Sequence, residues 1–257
     1  MKVVILAGGF GSRLGDITEN IPKPMVDIGG KPILWHLMNI FSSYGYNEFI
    51  LALGYKSKVI KNYFLNFNFI DNDFEINLLN NNITNLSNNN SNWKISLIET
   101  GLNTMTGGRL KQVAKYLNNE SFFLTYGDGL ADVNLNSLFD FHKQHKKMVT
   151  ITAVRPSARF GELDIRDNKV MSFEEKPQVS SSWINGGFMV IEPSFIKLID
   201  NNATILEKEP LEKVCSLGEM MAYKHHGFWQ CMDTKRDKDY LEQICNSGKY
   251  LWLKDGK

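Results

Sequence analysis

Val3-Val4-Ile5-Leu6-Ala7-Gly8-Gly9-Phe10-Gly11-Ser12-Arg13-Leu14 is the stretch on which the fold turns. Its opening residues are continuously apolar and rich in β-branched side chains, so no polar face is left for solvent. That pattern predicts a strand buried on both sides, as in a parallel sheet. Glycines follow at once. A glycine-rich turn after such a strand lets backbone N–H groups approach a phosphate closely, because no Cβ stands in the way. Two common phosphate loops are excluded. Gly9-Phe10-Gly11-Ser12-Arg13-Leu14 lacks the third glycine of GxGxxG, and the pattern GxxxxGK[ST] does not occur.

Working outward, apolar residues recur at helical spacing near 32–44 (Pro32, Ile33, Leu34, Leu37, Met38, Ile40, Phe41). Phe49-Ile50-Leu51-Ala52-Leu53 reads as a second buried strand, followed by a helical pattern from Ser57 to Phe67. Phe122-Phe123-Leu124-Thr125-Tyr126 stops at Gly127-Asp128-Gly129, and Val149 to Val154 forms another strand. Alternation of strands and helices predicts an α/β fold with a mostly parallel, mixed central sheet flanked by helices, Rossmann-like in its crossovers. Asn80 to Asn92 breaks the pattern and reads as a solvated, mobile loop, with a subunit contact or lid as the alternative. Tyr240, Leu241, Ile244, Tyr250, Leu251 and Trp252 stand at spacings more typical of core than of a partner surface.

Composition narrows the partners. The 257 residues carry 29 Lys+Arg against 28 Asp+Glu, and 43% are hydrophobic. Disorder requires the opposite combination. A net charge of +1 excludes a coat for nucleic acid or anionic membrane, so phosphate must be handled in a local site. No apolar run approaches the ~20 residues of a membrane span. Cys215, Cys231 and Cys245 are odd in number without CxxC spacing, which predicts ordinary buried or half-buried thiols in a soluble cytoplasmic protein.

Arg13 and Lys23 are the cations beside the glycine turn, Lys23 held between Pro22 and Pro24. A guanidinium can clamp a polyphosphate bidentately, while an ammonium acts as a movable point charge on a phosphoryl oxygen. At this point the chain resembles the sugar-1-phosphate nucleotidylyltransferases. The residues carrying the resemblance are GGxGxRL at 8–14 with Pro22-Lys23-Pro24-Met25, Gly127-Asp128-Gly129, Phe160-Gly161-Glu162-Leu163-Asp164, Phe173-Glu174-Glu175-Lys176-Pro177, Ile184-Asn185-Gly186-Gly187-Phe188 and Trp229-Gln230-Cys231-Met232-Asp233-Thr234. Thr104-Met105-Thr106-Gly107-Gly108-Arg109-Leu110 and Gly227-Phe228-Trp229 are similar to the members that use CTP and glucose 1-phosphate.

The resemblance runs almost end to end and implies one nucleotidyltransferase domain over 1–257, with the Asn-rich loop at about 80–92 and a sugar-binding and C-terminal segment at about 156–257. It implies attack of a sugar 1-phosphate on the α-phosphorus of a nucleoside triphosphate, with pyrophosphate leaving and Mg²⁺ assisting. Two anions must meet, so the site's main work would be charge neutralisation and in-line positioning. By the same resemblance Asp128 and Asp233 hold the metal, Lys23 contacts the reacting phosphate and Arg13 the leaving pyrophosphate. Leu6, Ala7, Gly8, Gly9, Gly11, Ser12, Thr104, Arg109 and Gly127 would surround the nucleotide, and Glu175, Lys176, Asn185 and Gly186 the sugar. A homo-oligomer, a hexamer in the family, is also implied. Ser12 where relatives often have Thr, Cys231, and Ser180-Ser181-Ser182 depart from the pattern and bear on acceptor identity. Another nucleotide or acceptor, a regulatory subunit without turnover, and a scaffolding protein are the competing readings; retention of Arg13, Lys23, Asp128 and Asp233 favours turnover.

Overall fold

The computed structural model describes residues 1–70, 72–87, 91–156, 162–166, 168–174 and 182–253. Seven strands form the central sheet: β1 (Lys2–Ala7), β2 (Glu48–Leu53), β3 (Lys94–Glu99), β4 (Phe122–Tyr126), β5 (Val149–Val154), β6 (Ile184–Ile191) and β7 (Met220–Lys224). Their spatial order is β7-β5-β6-β4-β1-β2-β3. β1 runs parallel to both β2 and β4, β2 to β3, and β5 to β7, while β6 is antiparallel to its neighbours β4 and β5. The mostly parallel α/β sheet expected from the sequence is therefore present, with one reversed strand.

Both sheet faces are covered, which explains why β1 has no polar side. Val3, Ile5 and Ala7 enter one apolar cluster with Phe49, Leu51, Leu53 and Phe123, while Val4 and Leu6 enter the other with Ile50, Ala52 and Leu124. Complete burial of side chains of this size contributes roughly 1.5–3 kcal/mol each. Helix α1 (Ile33–Ser42) is apolar on nearly every side and begins directly after Pro32. Helix α2 (Ser57–Leu65) ends before the expected Phe67: Asn66 closes it by donating its backbone N–H to Asn62, and a separate turn follows at Phe67–Ile70. Helices α3 (Thr106–Val113), α4 (Leu135–His145), α5 (Glu209–Ser216) and α6 (Lys235–Asn246) complete the set that concerns the site.

The Asn-rich segment departs from the expected loop. Phe74–Asn77 and Asn82–Asn85 pair as an antiparallel hairpin with Ile76 opposite Ile83. Asparagine builds the turn. The Asn77 and Asn80 side chains accept from the backbone N–H of Leu79 and Asn82, and Asn81 adopts φ 54°, a left-handed conformation that Asn tolerates better than most residues. The C-terminal apolar residues divide: Leu241, Ile244 and Trp252 are buried, whereas Tyr240 and Leu251 are exposed. All three cysteines are free; Cys245 is buried and Cys231 half-buried, but Cys215 is exposed, contrary to expectation, near the end of α5.

Candidate active site

Sheet order decides where a ligand can sit. The chain passes outward from β1 through β2 to β3, then returns to β4 on the other side of β1. Loops leaving β1 and β4 consequently diverge at their carboxyl ends and open a crevice, the usual ligand position in an open α/β sheet. A cleft of about 510 Å³ lies there, walled by 6–13, Lys23, Pro24, 102–106, Arg109, Tyr126, Gly127, Asp128 and Asp233. Leu6, Ala7, Gly8, Gly9, Gly11, Ser12, Thr104 and Gly127, all expected around the nucleotide, share this wall.

The glycine turn is fitted to its neighbours. Gly11 has φ 66°, and a Cβ on it would come within 2.9 Å of the Lys23 Cβ. A side chain at Gly127 would meet the Pro24 ring at 2.9 Å, and the Gly127 N–H donates to the Leu6 carbonyl at 3.1 Å. The β1 loop, the Pro22–Met25 turn and the end of β4 thus pack directly on one another. Met25 and Val26 donate to Pro22 and Lys23, closing the turn that carries Lys23.

Two carboxylates meet that lysine. Lys23 Nζ donates to Asp128 Oδ2 and Asp233 Oδ1, each at 2.6 Å, and Arg13 Nη1 donates to Asp233 Oδ2 at 2.7 Å. Burial disfavours the charged lysine, but the charge of Asp128 and hydrogen bonds to both carboxylates hold the ammonium above its ordinary value of 10.5. Asp128 and Asp233 are 105 residues apart in sequence, as the difference of their numbers shows, and a small ladder joins them. Gly129–Ala131 pairs antiparallel with Trp229–Cys231, and Met232 donates to the Asp128 carbonyl at 2.9 Å. A capping box then fixes the next step of the chain. Thr234 accepts from the Asp237 N–H, and the Asp237 carboxylate accepts from the backbone of Asp233 and Thr234 as α6 begins.

Asp128, Asp233 and Cys231 present ligand atoms within 4.8 Å of one another. Two hard carboxylate oxygens suit Mg²⁺, which usually keeps several waters and takes further oxygens from a phosphate. The Cys231 thiol is pushed well above its usual range by burial first and by the charge of Asp128 second.

Arg109 has a different place from Arg13. It lines the cleft but is only 3% exposed, and its guanidinium donates to the carbonyls of Leu53, Gly101 and Leu102 and to Thr100 Oγ1 at 2.7–3.1 Å. A Cβ at Gly8 or Gly54 would collide with that guanidinium. Arg109 therefore shapes the wall that carries Thr104, with its donors turned to the protein. Asn185 and Gly186 lie at the start of β6, beside the end of β4: Gly187 backs onto the Tyr126 ring, the Asn185 side chain accepts from the Gly187 N–H, and Trp229 Nε1 donates to the Gly186 carbonyl. Glu175 and Lys176 lie outside the described residues.

One group escaped the sequence reading. Glu207 accepts from Tyr126 Oη at 2.6 Å and from Thr106 Oγ1 at 2.7 Å, and burial together with the Glu207 charge pushes the Tyr126 phenol upward. Tyr126 and Thr106 both border the cleft, but nothing in the spacing of Glu207 ties it to either. Thr234-x-x-Asp237 was findable, because it is a capping signal standing immediately after Asp233.

A glycine-lined crevice where the strand order turns back, bordered by Arg13, Lys23, Asp128 and Asp233, suits a phosphate-bearing substrate, and comparison with known proteins names the class as nucleotidyltransferase. The model of the family described as Nucleotidyl transferase matches residues 2–254, and the chain belongs to that family. It is 51% identical over 253 residues, 98% of each chain, to glucose-1-phosphate cytidylyltransferase of Salmonella typhimurium. It is 42% identical, over 98% of this chain and 99% of the other, to a probable glucose-1-phosphate cytidylyltransferase of Bacillus subtilis. Among solved structures, HddC of Yersinia pseudotuberculosis complexed with GMP-PN superposes with a TM-score of 0.69 at 25% identity, covering 95% of this chain and 99% of that one. No helix among the described residues is long and apolar enough to cross a membrane.

Proposed function

We propose that the protein transfers a cytidylyl group from CTP to α-D-glucose 1-phosphate, giving CDP-glucose and pyrophosphate. The observation that carries this reading is the meeting of Arg13, Lys23, Asp128 and Asp233 at the mouth of a glycine-lined cleft, in a chain half identical to enzymes of that name. An oxygen of the sugar phosphate attacks the α-phosphorus, the bond from that phosphorus to the bridging oxygen breaks, and pyrophosphate departs with the electron pair. No protein nucleophile is needed.

The roles follow from charge and place. Lys23, its side chain 12% exposed, reaches the reacting phosphate; Arg13, with its side chain 73% exposed, reaches the departing pyrophosphate. Backbone N–H groups of the glycine turn and the Thr104 wall receive the nucleotide. Asp128 and Asp233 would hold Mg²⁺, which when bound neutralises phosphate charge. Asn185 and Gly186, with Glu175 and Lys176, receive the sugar. The whole of 1–257 works as one catalytic domain in the cytoplasm, supplying an activated sugar for surface polysaccharides and their deoxysugars. The exposed apolar turn of the hairpin, with Leu78 83% and Leu79 96% exposed, supports a homo-oligomer, a hexamer by resemblance.

A steady-state panel of CTP, UTP, dTTP, ATP and GTP against several sugar 1-phosphates tests the assignment. CTP with glucose 1-phosphate should have the highest kcat/KM for pyrophosphate release. A higher value with another base or acceptor changes the substrate, and failure to release pyrophosphate with every pair removes the transferase reading.

A further inference from the structure

Lys23 stands where a metal would bind. Its Nζ bridges Asp128 Oδ2 and Asp233 Oδ1 at 2.6 Å, and Arg13 takes the remaining oxygen of Asp233 at 2.7 Å. Three of the four carboxylate oxygens are thus engaged by Lys23 and Arg13. Magnesium reaches carboxylate oxygens at about 2.0–2.1 Å, inside the shell that Nζ already occupies. A dication brought into this cluster without an accompanying anion would meet like charge at close range, partly shielded from solvent.

The backbone that carries the lysine is held in place. Pro22 and Pro24 flank Lys23, backbone hydrogen bonds close its turn, and its Cβ lies against Gly11. Rotation about the side-chain bonds beyond Cβ would carry Nζ away from the carboxylates without moving the backbone turn. A triphosphate in the cleft would offer the anion that Lys23 and Arg13 lose when a metal takes the carboxylates.

We infer that Lys23 is the site's own cation and competes with the divalent metal for Asp128 and Asp233, so that the metal enters with the nucleotide and not ahead of it. This rests on the reading of those two aspartates as metal ligands. Metal affinity and nucleotide affinity are then coupled, and the coupling is reciprocal. Lys23 has two positions with two partners: carboxylates before the nucleotide arrives, phosphate afterwards.

Titrating the full chain with Mn²⁺ alone, and following free Mn²⁺ by electron paramagnetic resonance, tests the competition without turnover. Lys23→Met and Lys23→Gln should bind Mn²⁺ about tenfold more tightly than the parent, an ordinary size for a coupling. Lys23→Arg, which keeps the charge, should stay near the parent. Adding CTP should tighten Mn²⁺ binding more in the parent than in Lys23→Met. Thermal melting confirms that each variant is folded, and the Gln variant, closer in polarity to Lys, guards against a misfolded Met variant. Equal or weaker Mn²⁺ binding in both neutral variants overturns the inference. So does a gain that survives Asp128→Asn on top of Lys23→Met, because the ion then sits elsewhere. If the neutral variants gain Mn²⁺ affinity while the parent chain releases no pyrophosphate from CTP and glucose 1-phosphate, the competition stands and the proposed substrate falls.

Discussion

The wall and the mouth of the cleft each carry an arginine, and they use it in opposite ways. At the wall, Arg109 is buried and spends its donors on three carbonyls and a hydroxyl of the segments around Leu53 and Thr100–Leu102. At the mouth, Arg13 is largely exposed and holds one carboxylate oxygen that a phosphate or metal can contest. Charge at the wall builds shape, because one guanidinium ties the end of the strand at Leu53 to the segment Thr100–Leu102. Charge at the mouth can be exchanged, because solvent and neighbouring cations offset its loss.

That contrast can be broken most forcefully at Asp128. Asp128→Asn keeps the side chain's size but removes the charge facing Lys23, and turnover should fall at least about 10³-fold, the upper range for loss of a preorganised electrostatic partner. Its unfolding midpoint should barely move. A near-normal kcat would take Asp128 out of the reaction.

Arg109→Met reverses the expectation. Loss of the charged donor that links Leu53, Thr100, Gly101 and Leu102 should cost about 1.5–3 kcal/mol in urea unfolding. Apparent KM for CTP should rise with it as the Thr104 wall loosens. Unchanged stability alongside a large loss of kcat would mean that Arg109 turns its guanidinium to the nucleotide, and the distinction between wall and mouth would fail.

Arg13→Ala is the mildest of the three in stability, within about 0.5 kcal/mol for an exposed side chain. Its mark should appear in the reverse reaction, where KM for pyrophosphate rises by about tenfold, the loss expected for one charge-assisted contact. If melting temperature falls and pyrophosphate affinity does not, Arg13 belongs with Arg109 as a structural cation.

Four of the seven central strands were legible because burial on both faces leaves a plain trace: Val3–Ala7, Phe49–Leu53, Phe122–Tyr126 and Val149–Val154 are each continuous apolar or β-branched runs, and each is a strand, whereas Lys94–Glu99, Ile184–Ile191 and Met220–Lys224 went unread. The hairpin at Phe74–Asn85 left no such trace. Its strands are exposed, so no buried face marked them, and asparagine suggested a loop while in fact forming the turn. At the site, Lys23 and Asp128 could be picked out locally, from flanking prolines and glycines. Asp233 needed the resemblance, since its neighbourhood to Asp128 comes from the ladder of Gly129–Ala131 with Trp229–Cys231. Arg109 likewise came from the resemblance, which did not show its guanidinium turned to the backbone, and Glu207 was beyond local reading altogether, because a lone charged residue looks alike whether its partners are water or distant groups.

Sequence alone determined the α/β class, the glycine turn after a doubly buried strand, and a balance of charge that confines phosphate to a local site. Those are properties of neighbouring residues and of totals, and they need no coordinates. Tertiary structure decided which charges meet. Only folding brings positions 13, 23, 128 and 233 within hydrogen-bonding distance while turning Arg109 inward, because an ion pair depends on distances through space that separation along the chain does not encode.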